Sequence, residues 1–397
     1  MKYTFLFLLL LCSMFGNAQK RDIEPYVNFL ENVERKSAKD YIIEQFKDHD
    51  IVILCERDHR DLTQYELIKE VLSDDYFKKH VKNLFTEIGV INLQPEITEF
   101  LKTKGLDSLY VENKLKEFQF NSSFWVLWEK YNYQYLLRTI YDINNSSDNQ
   151  ISYYPSDSEF DWQKVDNLEE YVREQDFEIE PRDSIMAYNI INTFERLRPN
   201  KDKKALVILN YRHAFKMHVP RNNGEIQENA AKYLFDYFGD RATNILIHQA
   251  VFRKKEKDYS YALIQNGKWD ASFKALNLED IGFDLSRTAF GRDSLDLWPV
   301  ASSYTYEDTF DGFVFYRPIE DYQLVSYFDG FIPKEREEEF FRRFRIHLAY
   351  QEDTVTLEKL KDADFRKAVL IEMNTKKVRR YPNIEELIGA RDDFLKD

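Results

Sequence analysis

The sequence predicts an α/β protein: a mostly parallel central sheet covered by helices on both faces, with extra helices and a helical C-terminal tail. Three observations predict it. Short apolar runs rich in β-branched residues, Ile51–Cys55 and Ala205–Leu209 above all, stop abruptly at polar clusters, as buried parallel strands do. Segments with apolar residues at helical spacing alternate with these runs, which calls for a doubly covered sheet. Past Pro318 the pattern changes to charged helices, Glu335–Phe344 and Pro382–Ala390.

Met1–Ala18 reads as a secretory signal, with Lys2, the apolar run Phe5–Leu11, and Gly16-Asn17-Ala18 as a small-residue cleavage site. Its apolar core is too short to span a bilayer as a mature helix, so no transmembrane span is expected after cleavage. Cys12 would open a lipoprotein route, but Leu11 stands before it where a small residue is wanted; a periplasmic or secreted protein is the better fit. Cleavage leaves Cys55 alone, so no intrachain disulfide can form. A lone Cys near a His can serve as a nucleophile, and it can equally be a core residue ending a buried strand. We divide the chain into the signal at 1–18, an α/β domain at 19–330 and a helical C-terminal extension at 331–397.

Within that domain Asp22–Lys47 has helical spacing, Ile51–Cys55 is the first strand, and Thr63–Leu72 is an amphipathic helix carrying Glu66, either solvated or facing the site. Asn83–Glu87 is the second strand. Gln94–Leu101 is a helix with Pro95 in its first turn, and Phe124–Ile143 is a long aromatic helix. Ile151–Tyr154 is a third strand, ended by Pro155-Ser156-Asp157. Asp161–Gln175 reads as a polar helix or a lid. Pro181–Arg196 is a helix with Ile185, Met186, Ile190, Ile191 and Phe194 on its apolar side. After the Ala205–Asn210 strand come a helix at Glu225–Phe238 and strands at Thr243–Ala250, Tyr259–Ile264 and Gly312–Tyr316.

The net charge of −14 argues against a nucleic-acid partner. A content of 26 Tyr and 31 Phe suits ring-containing small-molecule ligands as well as it suits a thick aromatic core. No feature reports the oligomeric state.

The chemistry concentrates at three strand ends. Ile51–Cys55 runs into Glu56-Arg57-Asp58-His59, Asn83–Thr86 into Glu87, and Ala205–Leu209 into Asn210-Tyr211-Arg212-His213. Parallel strands put their C-terminal ends on one side of a sheet, where open α/β sheets bind ligands. Glu56, His59, Glu87 and His213 should therefore meet at one edge. A His beside a carboxylate can act as a general base whose tautomer the carboxylate fixes. The same two His and two Glu also suit a divalent metal ion such as Zn²⁺ or Mn²⁺. No Gly-x-Ser-x-Gly elbow is present, so a serine nucleophile is not expected.

These residues also carry a resemblance. Ile51–His59 resembles the Gly-Glu-x-x-His signature of the erythromycin-esterase-like family, with Cys55 in place of the glycine and Glu56 and His59 matching. Glu87 fits the family's acidic residue at the next strand end. Arg182-Asp183-Ser184-Ile185-Met186-Ala187-Tyr188-Asn189 resembles its Arg-Asp-x-x-Met-Ala-x-Asn helix, and Phe310–Tyr316 its late Phe-Asp-Gly strand. Asn210-Tyr211-Arg212-His213 departs from the usual form: Leu209 replaces a second His, and Asn and His stand one residue further apart. Phe124–Tyr131 is more similar to the ChaN-type haem-uptake lipoproteins, a sister group in a superfamily that also holds Tiki/TraB-type proteins. The similarity spans roughly residues 45–320.

The resemblance implies a hydrolase in which His59, with Glu56 and Glu87 as carboxylate partners, directs water onto an ester or amide carbonyl. His213 would be a second acid/base group or bind the developing oxyanion. Arg182, at a helix N-terminus where anions are favoured, would do the latter. The alternatives it leaves open are a ChaN-like binder of haem or another aromatic ligand, and a member that has lost activity.

Overall fold

The structure is a computed structural model that describes residues 22–122, 131–175, 181–197, 203–220, 226–255, 258–297 and 303–396. The export signal at 1–18 and the first part of the expected Phe124–Ile143 helix lie outside the described residues.

Seven strands form the central sheet: β1 (Ile51–Glu56), β2 (Lys82–Val90), β3 (Ser152–Asp157), β4 (Lys204–Asn210), β5 (Ala242–Ile247), β6 (Ile281–Asp284) and β7 (Gly312–Phe315). Their spatial order is β6-β7-β5-β1-β4-β2-β3. All neighbours are parallel except β6, which pairs antiparallel with β7 at the edge. This is the doubly covered α/β sheet that the sequence predicts.

Strand alternation explains the two faces. Ile51, Ile53 and Cys55 point to one side, where they pack with Val207, Leu209, Phe313 and helices Arg182–Arg196 and Ala230–Phe238. Val52 and Leu54 point to the other side and pack with Leu206, Ile208 and helices Ala38–Gln45, Leu62–Ser73 and Asn132–Ser146. Every residue of β1 is buried, which explains the apolar run Ile51–Cys55; Glu56, at its end, is the exception. Cys55 belongs to this core: it is fully buried, and burial holds its thiol well above the usual range, which removes it as a nucleophile.

The connections matter for function. The chain leaves β1 through helix Leu62–Ser73 on one face and leaves the adjacent β4 through helix Ala230–Phe238 on the other. Neighbouring strands whose exits part to opposite faces open a crevice at their C-terminal ends. Glu56 and Asn210, paired in register, stand at that point.

Several elements differ from the sequence reading. β2 does not end at Glu87 but runs to Val90, shifting register against β3 between Thr86 and Val90. Gly89 makes the bend, at φ +99°, where a Cβ would also press against Tyr133. The expected strand at 243–250 stops at Ile247. Ala250–Lys255 instead pairs with Asp258–Leu263 in a separate hairpin. The edge strand β6 and the helix Ser108–Asn121 carry no pattern that marked them. The tail contains helices Glu337–Tyr350, Thr354–Lys359, Ala363–Met373 and Ile384–Asp393. It packs through Phe340, Phe341 and Met373 onto Phe160 and Trp162, and through Tyr381 and Leu387 onto Leu263 and Tyr322. Among the described residues no helix is long and apolar enough to cross a membrane.

Candidate functional site

β1 delivers Glu56 and the turn after it delivers His59. The two meet directly: Glu56 Oε1 contacts His59 Nδ1. The other imidazole nitrogen, Nε2, lies 3.4 Å from Glu87 Oε1. His59 thus stands between two carboxylates from adjacent parts of the sheet edge. Its ring is 19% exposed while Glu56 is fully buried, so solvent reaches the histidine and not its inner partner.

Glu56 is held on its far side as well. Tyr65 OH donates to Glu56 Oε2 at 2.7 Å, and Asn132 Nδ2 reaches Tyr65 OH at 2.9 Å and Glu56 Oε1 at 3.5 Å. Burial raises the Glu56 pKa above the ordinary carboxyl value against the pull of His59. Glu87 goes the other way. It too is buried, but His213, His59 and Arg182 together outweigh the desolvation and hold it below the usual range. Its Oε2 accepts from the Asn210 backbone N–H at 2.7 Å, which locks the carboxylate to the end of β4.

His213 sits in the turn following β4. Its Nδ1 lies 2.8 Å from Asp183 Oδ1, and its Nε2 lies 3.5 Å from Arg182 Nη1. Although burial pulls its pKa down, Asp183 and Glu87 raise it above the ordinary histidine value. Asp183 is fixed in turn by the Ala230 N–H, which donates to Oδ1 at 2.8 Å. Arg182 forms a two-pronged ion pair with Asp157 at the end of β3, Nε to Oδ1 at 2.9 Å and Nη2 to Oδ2 at 2.8 Å.

The structure therefore brings Glu56, His59, Glu87, His213 and Arg182 to one sheet edge. Arg182 stands there with its fork already occupied by Asp157, which leaves Nη1 facing His213. Glu66 is exposed on its helix. Four further residues were not singled out in the sequence. Asp157 had a signal, since it too ends a strand. Asp183 stands inside the Arg182–Asn189 motif. Tyr65 and Asn132 had none, because only the packing of two helices puts them behind Glu56.

Both nitrogens of His59 face carboxylates, and His213 turns one nitrogen to Asp183 and the other to the Arg182 guanidinium. Among the described residues no three His, Cys, Asp or Glu side chains are arranged to hold a metal ion.

The His213–Asp183 pair has a testable pH signature. A histidine whose folded pKa is raised contributes its stability fully below its ordinary value near 6.5 and loses it as pH rises through the folded pKa. Asp183, held below the ordinary value, is ionised throughout that window. Asp183→Asn should cost about 2 kcal/mol at pH 6, with a clearly smaller cost at pH 9. Urea unfolding at the two pH values checks it, and an equal cost at both would show that the pair carries no charge.

No family model matches the chain, and no curated protein does. Among solved structures it is similar in fold to an erythromycin esterase variant in its open conformation. That match has a TM-score of 0.49 and 11% identity, and it covers 74% of this chain and 95% of the other. A succinoglycan biosynthesis protein gives a TM-score of 0.46 and 10% identity, over 75% of this chain and 96% of the other. A Bacillus cereus protein gives 0.39 and 14%, over 68% and 88%.

Proposed function

We propose that the protein is an exported hydrolase that directs water onto an ester or amide carbonyl. The observation that carries this reading is the convergence of two carboxylate-held histidines, Glu56–His59 and Asp183–His213, on Glu87 at the switch point of the sheet. The motif resemblance at Glu56, His59, Glu87 and Arg182–Asn189 supports the same class of reaction.

The groups divide the labour as their environments dictate. Water beside His59 loses a proton to the imidazole as its oxygen bonds to the carbonyl carbon. Glu56 and Glu87 stabilise the imidazolium so formed, and Glu56 fixes its orientation. The carbonyl oxygen gains negative charge and accepts from Arg182 Nη1, the one part of that guanidinium the Asp157 fork leaves over. His213, whose raised pKa favours the protonated form, donates to the leaving oxygen or nitrogen as its bond to carbon breaks. The proton on His59 then replaces the one His213 gave up, and acid plus alcohol or amine leave.

The test is a panel of ester and amide substrates given to the purified full chain, with Glu87→Gln as control. Glu87→Gln keeps the acceptor to Asn210 N–H and removes the charge that faces both histidines. The reading expects turnover of at least one carbonyl substrate and a loss of about 10²-fold in the variant. If the variant equals the wild type on every substrate turned over, the edge described above is not the site. A Soret band after exposure to haem, without hydrolysis, would instead support ligand binding.

A further inference from the structure

We propose that Arg57 and Tyr322 are positioning residues for His59, and that the C-terminal extension acts through them to hold the His59 turn in place. This rests on the hydrolase reading only in giving His59 its role. Its geometry stands apart from that.

The turn between β1 and helix Leu62–Ser73 is held by a segment more than 250 residues away in sequence. The Leu62 N–H donates to the Gln323 carbonyl at 2.8 Å, the Val325 N–H to the Arg60 carbonyl at 2.6 Å, and Asp61 bridges Leu324 in antiparallel fashion. That segment, Leu324–Ser326, pairs on its other side with Lys377–Arg379 of the tail. The His59 turn is thus bridged to one strand of a two-stranded sheet whose other strand belongs to the extension.

A buried charge pins this turn from beneath. Arg57 follows Glu56 directly, and only 2% of it is exposed. Its guanidinium lies 2.8 Å from Asp61 Oδ2 and 3.9 Å above the centre of the Tyr322 ring. Desolvated cation–π contacts of this kind are worth considerably more than exposed ones. The Tyr322 hydroxyl contacts His248 Nδ1, and His248 Nε2 lies 2.9 Å from Asp270, so the ring is held rigid from behind. Tyr381 of the tail packs against Tyr322, with ring centres 6.1 Å apart. The Arg57 guanidinium is surrounded by Asp61, Tyr322 and Tyr381, the last of them a residue of the extension. A turn that must keep an imidazole between two carboxylates needs its backbone restrained, and this ion–ring clamp adds to the hydrogen bonds with Gln64 and Asn210 that hold it.

The readout is the NMR spectrum of the His59 ring in the full chain at one fixed pH, with hydrogen exchange of backbone amides 57–62 beside it. The ring nitrogen shifts report the contacts of Nδ1 with Glu56 and of Nε2 with Glu87. Tyr322→Leu removes the ring face over Arg57, so the His59 ring signals should move from their wild-type positions and amides 57–62 should exchange faster. Tyr322→Phe keeps the face and gives up only the hydroxyl contact to His248, so it should move the same signals less. Should Tyr322→Leu not fold, Arg57→Met tests the same contact. Burial has already pushed Asp61 up to about 6, so it can take a proton when its partner goes. Tyr322→Leu or Arg57→Met, folded and with wild-type His59 ring signals, overturns the proposal. Moved signals in a protein that hydrolyses nothing keep the clamp and remove the hydrolase reading.

Discussion

Replacing His59 with alanine is expected to lower kcat/KM for ester hydrolysis about 10³-fold, the range for losing a positioned general base. The fall should lie in kcat, because His59 acts on the attacking water and not on the ground-state substrate. Stability should change little, since the ring is partly exposed and Tyr65 and Asn132 still hold Glu56. Steady-state kinetics with urea unfolding separate the two effects. A large loss of stability with kcat unchanged would make His59 a structural residue, and the Glu56 contact a buried ion pair only.

Replacing Arg182 with lysine is expected to cost both stability and turnover. On sequence alone, Arg182 is a helix N-terminal cation available for an anion, and its exchange for lysine should spare the fold. The ion pair with Asp157 changes that expectation. Asp157 is buried, and its two oxygens are matched by the planar fork of the guanidinium. Lysine supplies a point charge in place of that fork and leaves one carboxylate oxygen short of a donor. The loss should be about 2 kcal/mol, with kcat down about 10-fold or more as Nη1 vanishes from the His213 side. Thermal or chemical unfolding checks the first part and kinetics at saturating substrate the second. Wild-type stability in Arg182→Lys would mean that the Asp157 pair contributes nothing net, as exposed pairs often do.

What could be read ahead of the structure follows a physical division. β1 and β4 were legible to within a residue because strands buried on both faces must be continuous apolar runs, and their ends are marked where that run stops. From this, Glu56, His59, Glu87 and His213 were expected to meet if the three strands were parallel neighbours, an adjacency that only the sheet order β1-β4-β2 supplies. Pairings between distant segments were not legible. Asp157 ends β3, but Pro155 made that stretch look like a turn, so the partner of Arg182 was missed. Tyr65 and Asn132 reach Glu56 across two helices with no spacing rule to link them. β6 is four residues long with a glycine in it, too short to show a period. Arg57 reads as one more charge in a wet loop. Its burial comes from segments far away in sequence, Tyr322 and Tyr381, that close over it.

In the proposed mechanism His59 and His213 form one working unit although 154 positions separate them. A double-mutant cycle measures this most directly, with kcat/KM determined for wild type, His59→Ala, His213→Ala and the pair on one carbonyl substrate. Residues that act together in one step are strongly non-additive. Each single change should remove most of the activity, and the double variant should be no more than a few-fold worse than the poorer single one. If the two losses multiply in the double variant, the histidines act independently, and the shared site around Glu87 is contradicted.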